Sequence, residues 1–228
     1  MRLLALDTAM EACSAALLVG DRLVTREVEL ARGHAERILP MVDELLGEAG
    51  LSLRGLDAIA FGRGPGSFTG VRLAAGITQG LAFGAGLRVV AISDLRALAQ
   101  RIFDEDGRVT RALVCSDARM QEVYWGCFER GGDDGLAHAR SPERVGPATS
   151  VALPPGWSDV AGGGRGFTAY PALGALPGVV IQRGWDRLLP RAAEVVRLAV
   201  PEVAAGRLLA PEAAVPVYLR DDVARPPP

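Results

Sequence analysis

The chain has 228 residues, 49% of them hydrophobic and 23% charged, with a formal net charge of −2. That is the composition of a folded globular protein with a packed core, and the faint acidity counts against an autonomous nucleic-acid binder, which carries a basic surplus. All 25 basic residues are arginine, which excludes lysine Schiff-base chemistry and the phosphate-binding loop ending in Gly-Lys-Ser/Thr.

Apolar runs such as Ala12 to Val19 fall short of the roughly 20 residues of a membrane span. The opening Met1-Arg2-Leu3-Leu4-Ala5-Leu6 meets Asp7 and Glu11 before a targeting core can form, so a cytoplasmic location is expected. Cys13, Cys115 and Cys127 are odd in number and widely spaced, which suits buried reduced thiols and neither a disulfide framework nor a zinc ribbon. His34 and His138 are the only histidines, so no histidine-based metal site is expected.

In chain order, Leu3 to Thr8 reads as a buried strand ending in a carboxylate, and Cys13 to Val19 as a second strand. Gly20-Asp21 makes a hairpin turn into Arg22 to Leu30, with Leu23, Val28 and Leu30 as apolar positions. Ile38, Val42, Leu45, Leu46 and Ala49 recur at helical spacing, capped by Gly50, and Pro40 either kinks this helix or lies in its first turn. Leu56 to Phe61 is the next strand. It runs into Gly62-Arg63-Gly64-Pro65-Gly66-Ser67-Phe68-Thr69-Gly70-Val71-Arg72, where glycines crowd a strand-to-helix junction suited to an anion, a partner or a plain tight turn. Ser67 N-caps a helix to about Ala85 that Gly70, Ala74, Ala75, Gly76, Gly80 and Gly84 strip of bulk. Arg88 to Ile92 is a strand, Ser93 caps a helix from Asp94 to Ile102, and Asp104 to Gly107 reads as a linker.

The opening pattern then returns. Ala112 to Asp117 is again an apolar strand ending in Asp, and Val123 to Phe128 follows at the offset by which Cys13 follows Asp7. Ser158 to Ala161 leads into Gly162-Gly163-Gly164 much as Leu56 to Phe61 leads into Gly62-Arg63-Gly64. The repeat predicts a duplicated α/β unit with mixed sheets, residues 1–104 and 105–228, with a late helix within 189–209 packing back on the first half. Gly131 to Pro155 reads as extended connections or a variable loop, Pro201 is expected to divide the late helix near Arg191 to Leu209 or to open a second short helix, and Pro226 to Pro228 is expected to be disordered.

Asp7 and Asp117, at matching strand ends, suit either metal–phosphate coordination in a cleft or the fixing of a turn through backbone N–H groups. Gly64, Gly66 and Gly70 miss the dinucleotide spacing, and neither Ser14 nor Ser67 lies in a hydrolase elbow. His34 is either a base at a helix start or a capping residue.

Leu4-Ala5-Leu6-Asp7-Thr8 with Glu11-Ala12-Cys13-Ser14, then His34 to Val42 and the glycine segment Phe61 to Arg72, closely resemble the bacterial TsaB (YeaZ) family of tRNA threonylcarbamoyladenosine biosynthesis. Asp117-Ala118-Arg119, Glu122-Val123-Tyr124 and Pro216-Val217-Tyr218-Leu219-Arg220 resemble that family's later signatures. The resemblance implies an actin-like, sugar-kinase-type ATPase fold of two RNase H-like halves with mixed sheets. It also implies a non-catalytic subunit that binds and activates TsaD, working with the ATPase TsaE to transfer threonylcarbamoyl to a tRNA adenosine. TsaD's metal-binding His-x-x-x-His is missing here, since Ile38 stands four places after His34.

On this reading the partner surface comprises His34, Arg37, Ile38, Met41, Phe68, Gly70, Val71 and Ala74, which would also make a homodimer when the chain is alone. Nucleotide contacts, if any, fall to Asp7, Thr8, Gly64, Gly66, Ser67 and Thr69. No tightly bound cofactor is expected, ATP or ADP is the candidate ligand at the subunit interface, and tRNA is met only through the complex. Gly62 to Arg72 is thus expected to be the hinge of a subunit interface first and an anion site second. A cleft ATPase is the alternative, and a metallopeptidase lacks its histidine pair.

Overall fold

The structure is a computed structural model and describes residues 1–220. The elements of the first half are β1 (Arg2–Asp7), β2 (Ala12–Val19), β3 (Arg22–Glu29), α1 (His34–Ala49), β4 (Ala58–Gly62), α2 (Phe68–Ala85), β5 (Arg88–Ile92) and α3 (Asp94–Glu105). The strands form one sheet in the order β3-β2-β1-β4-β5, antiparallel from β1 to β3 and parallel from β1 to β5. The second half carries β6 (Arg111–Asp117), β7 (Glu122–Arg130), β8 (Ala137–Ala139), β9 (Arg144–Pro147), β10 (Val160–Gly163), the short α4 (Arg165–Ala169), β11 (Val179–Val180) and α5 (Ala192–Ala204). Its sheet runs β11-β10-β6-β7-β8, with β9 also on β7, so β6, β7, β8, β10 and β11 take the places of β1 to β5. The duplicated order, with the same parallel and antiparallel pairings, is the actin-like pair of RNase H-like halves.

Two helices trade halves. α3 precedes β6 in the chain, yet its Leu95, Leu98, Ala99, Ile102 and Phe103 pack on Ala112, Val114 and Phe128 of the second sheet. α5 returns to the first sheet, where Val195, Val196, Leu198 and Ala199 cover Leu3, Ala5, Ala58 and Ala60. The opposite face is covered by α1 and α2 through Ile38, Met41, Val42, Leu45, Ala75 and Ala82. Covered on both sides, β1 is an unbroken buried run from Leu3 to Asp7, as a central strand between two helical layers requires.

Local chemistry accounts for the boundaries. Ser67 Oγ accepts from Gly70 N at 3.1 Å and Ser93 Oγ from Arg96 N at 3.2 Å, each satisfying a free donor in a first turn. Removing the first cap by Ser67→Ala should cost about 1 kcal/mol, read as a lowered urea midpoint at unchanged slope. Gly50 and Gly86 close α1 and α2 in the left-handed region, at φ of 63° and 71°.

Four expectations need correction. Leu23 is exposed while Val24 and Val28 pack inward, because period-two alternation places neighbouring residues on opposite faces. Of the two alternatives for Pro40, only the first-turn placement is excluded, since the residue lies inside α1 on an exposed position, beyond the first turn. α3 extends through Asp104 and Glu105, stabilised by buried Ile102 and Phe103 and an Arg101–Glu105 pair at 3.0 Å, so the linker starts only at Asp106. Pro201 does not divide α5, which continues to Ala204; near a helix end the ring forfeits a single backbone bond. The expectation for Pro226 to Pro228 lies outside the described residues.

The candidate cleft and partner face

Near the ends of β1 and β6, the two halves and residues 217–220 line an open cavity of about 660 Å³. Its walls include Met10, Glu11, His34, Gly66, Ser67 and Phe68 from the first half, and Ser116, Asp117, Arg119, Tyr124, Arg165 and Arg187 from the second. Ion pairs tie the walls together: Arg119 reaches Glu11 at 3.6 Å and Asp117 at 2.9 Å, and Arg165 reaches Glu11 at 3.4 Å and also pairs with Glu29. Arg187 is exposed at the rim and takes no carboxylate among the described residues. Ser116 is 5% exposed and lines the cavity without a side-chain hydrogen bond among the described residues.

Of the predicted nucleotide contacts, Gly66 and Ser67 line the cavity. Asp7, Thr8 and Gly64 are buried behind it, and Thr69 is exposed on the first turn of α2 without lining it. The buried ones have internal work. Thr8 Oγ1 donates to the Gly70 carbonyl at 2.7 Å, and Asp7 Oδ1 accepts from Ala9 N at 2.8 Å. Asp117 Oδ1 accepts from Arg119 N at 2.8 Å, so both strand-end aspartates fix turns. His34 Nε2 donates to the Met10 carbonyl at 2.9 Å, which commits that nitrogen to structure rather than to proton abstraction. Among the described residues no three His, Cys, Asp or Glu side chains gather to hold a metal ion.

The glycine loop is likewise explained from within the chain. A Cβ on Gly66 would lie 2.6 Å from the Ala9 carbonyl oxygen, and one on Gly70 2.1 Å from that of Thr8, so α2 starts directly against the exit of β1. The second half repeats the device, with Gly164 against the Cys115 carbonyl at 2.3 Å.

The glycines also make room for a carboxyl pair that the sequence reading missed. Asp94, fully buried at the start of α3, accepts from Gly64 N through Oδ2 and faces Asp7. Asp7 Oδ2 and Asp94 Oδ1 have no hydrogen-bond partner among the described residues, and one proton shared between the two carboxyls would satisfy both. Burial pushes the Asp7 carboxyl up to about 6, and burial with the Asp7 charge holds Asp94 well above the usual carboxylate range. Only the position of Asp94 in a helical first turn was legible, where an acid ordinarily serves the helix dipole.

The partner surface divides differently from the expectation. Ile38, Met41, Val71 and Ala74 are core residues, at 0%, 4%, 1% and 0% exposure, and Gly70 is buried against Thr8. An arginine at Val71 would therefore disrupt the fold rather than probe a surface. Arg37 and Phe68 are exposed and His34 half-buried. The outer apolar side chains are Leu39 on α1, and Phe68 and the 81% exposed Phe83 on α2. Between the two phenylalanines, Gly76 and Gly80, with Gly84 just beyond, face open space: among the described residues a Cβ on any of them would meet nothing within 4 Å.

A family model described as "TsaD: tRNA N6-adenosine threonylcarbamoyltransferase" matches residues 28–144. The tRNA threonylcarbamoyladenosine biosynthesis protein TsaB of Escherichia coli K12 is 44% identical over 230 residues, covering 98% of this chain and 96% of its own. The chain belongs to the TsaB family. Its Haemophilus influenzae relative of the same name is 58% identical over 127 residues, 55% of this chain and 52% of that one. YeaZ from Pseudomonas aeruginosa, a solved structure 44% identical, superposes with a TM-score of 0.86 over 96% of this TsaB-family chain and 99% of its own.

Proposed function

We propose that this chain acts in tRNA threonylcarbamoyladenosine biosynthesis as a non-catalytic partner that binds TsaD through the outer face of α1 and α2 and activates threonylcarbamoyl transfer. The observation that carries the reading is the open glycine row. A glycine inside a helix costs about 1 kcal/mol relative to alanine. Gly76, Gly80 and Gly84 offset none of that among the described residues, because none of those residues approaches the space a Cβ would occupy there. Their use is external: a helix without side chains at successive turns lets another helix approach its backbone, while Phe68 and Phe83 supply apolar area at either end. Four helices, two from each subunit, then pack as a bundle.

Alone, the chain pairs with itself through this face, and TsaD competes for it. TsaE joins the assembled pair, tRNA is met through the complex, and ATP or ADP is a ligand of the assembly rather than a resident cofactor of this chain. No helix among the described residues is long and apolar enough to cross a membrane.

Reconstituted tRNA modification tests the reading: omission of this chain is expected to abolish transfer, and unchanged transfer would refute it. A finer probe is Gly80→Gln. It should raise monomer stability by about 0.5 to 1 kcal/mol through helix propensity while weakening TsaD binding at least about tenfold. Thermal melting reads the first effect and titration calorimetry the second; a stabilised variant that binds TsaD normally would move the interface elsewhere.

Hydrolysis of a nucleotide in the cleft is the second reading, favoured by the 660 Å³ cavity with Arg187 at its rim. Turnover by the isolated chain, lost in Arg187→Ala, would support it.

A further inference from the structure

We infer that residues 218–220 are a latched gate across the mouth of the cleft, hinged on the first half and caught at two points, one of them Arg72 on α2.

The hinge is firm. Ala214 is fully buried and its carbonyl accepts from Gln79 Nε2 at 2.9 Å; Val217 N donates to the Arg63 carbonyl at 2.8 Å. Beyond Val217 the attachments change in kind. Tyr218 is held by its hydroxyl, which accepts from Arg72 Nε at 2.7 Å, and by the tilted Phe68 ring 6.1 Å away. The Arg72 guanidinium lies over the Phe68 ring at 3.4 Å, so arginine and two aromatic rings form one exposed stack. Two residues on, Arg220 crosses to the second half. There it donates to the Ala118 carbonyl at 3.2 Å and pairs with Glu122, gripping the β6–β7 turn. Tyr218, Leu219 and Arg220 all line the cavity that they cross.

The segment thus roots on one half, catches on the other and lines the open cavity between them. Its backbone from Tyr218 to Arg220 joins no strand or helix, and its catches are side-chain bonds at or near the surface, the class of contact that opens at low cost. The cavity is lined by both apolar and polar side chains, with Ser116 Oγ uncommitted among the described residues, so what lies behind the segment is open space rather than packed core.

The test uses a reporter thiol in the chamber. Ser116→Cys places one there, and the native Cys13, Cys115 and Cys127 are buried and serve as controls for global opening. Maleimide labelling is followed in the full chain with the latch intact and with Tyr218→Phe, Arg72→Gln or Arg220→Gln. Each release variant is expected to speed labelling of the reporter about five- to tenfold, the scale of one lost surface contact, with the native cysteines unlabelled. Tyr218→Phe combined with Arg72→Gln should exceed neither alone by much, since both remove the same catch. Equal rates with the latch intact and released would overturn the inference, as would acceleration of the native cysteines in step with the reporter.

Discussion

Alanine at position 70 is expected to destabilise the chain by about 3 kcal/mol or more, enough to leave much of it unfolded at physiological temperature. The added methyl group would sit 2.1 Å from the Thr8 carbonyl oxygen and 2.6 Å from Ser67 Oγ, and the first of these is backbone that cannot swing aside. Relief requires α2 to lift from the exit of β1, which breaks the Thr8 hydroxyl bond to the Gly70 carbonyl and the Ser67 cap together. The same substitution at Gly80, in the same helix, should stabilise by up to about 1 kcal/mol, because its methyl enters open space. Urea denaturation of the two variants beside the parent measures both signs, and a Gly70→Ala chain as stable as the parent would mean that the junction is looser than described.

The second large effect is on pH dependence. Asp7 and Asp94 are carboxyls whose folded affinity for protons exceeds that of the unfolded chain, so the folded state binds the extra proton and stability falls as pH rises. The contribution is complete below the unfolded value near 3.8 and is lost as pH rises through about 6 for Asp7, and as pH rises through the likewise raised value of Asp94. Glu194 near Asp7 and Glu143 near Asp94 add to the penalty, while His34, when charged, opposes it.

Asp94→Asn keeps an oxygen for Gly64 N and offers Asp7 Oδ2 an amide N–H in place of the shared proton. The variant is expected to be more stable than the parent at neutral and alkaline pH, by about 2 to 3 kcal/mol on the scale of the Asp7 displacement, and to have the flatter profile. Unfolding midpoints from about pH 4 to pH 8 decide it. Parallel profiles for parent and variant would show that the pair carries no such proton.

The repeat was legible because each half states it in the same terms: a run of buried strand ending in Asp, a second strand at equal offset, then glycines after the fourth strand. Ser67, Ser93 and Gly50 marked helix ends through short-range bonds that sequence spacing encodes. The orientation of α2 was not legible, since its small residues lie on both sides, Ala74 and Ala75 inward and Gly76 and Gly80 outward, and periodicity cannot rank glycine against alanine. The spacing of Ile38 and Met41 fits a partner surface and the core stripe alike, and burial decides for the core. The Asp7–Asp94 pair and the Arg72–Tyr218 catch join residues far apart in the chain, and nothing in the local pattern of either partner announces the other.

The central claim is that the outer face of α2 is a docking surface for TsaD. It is tested most directly by mixing the purified chain with TsaD and measuring complex mass by light scattering, with Gly80→Gln and Phe83→Arg in parallel. Complexes of one chain with one TsaD are expected for the parent, formed at the expense of homodimer, and both variants should remain folded and largely uncomplexed. Full complex formation by both variants would contradict the account.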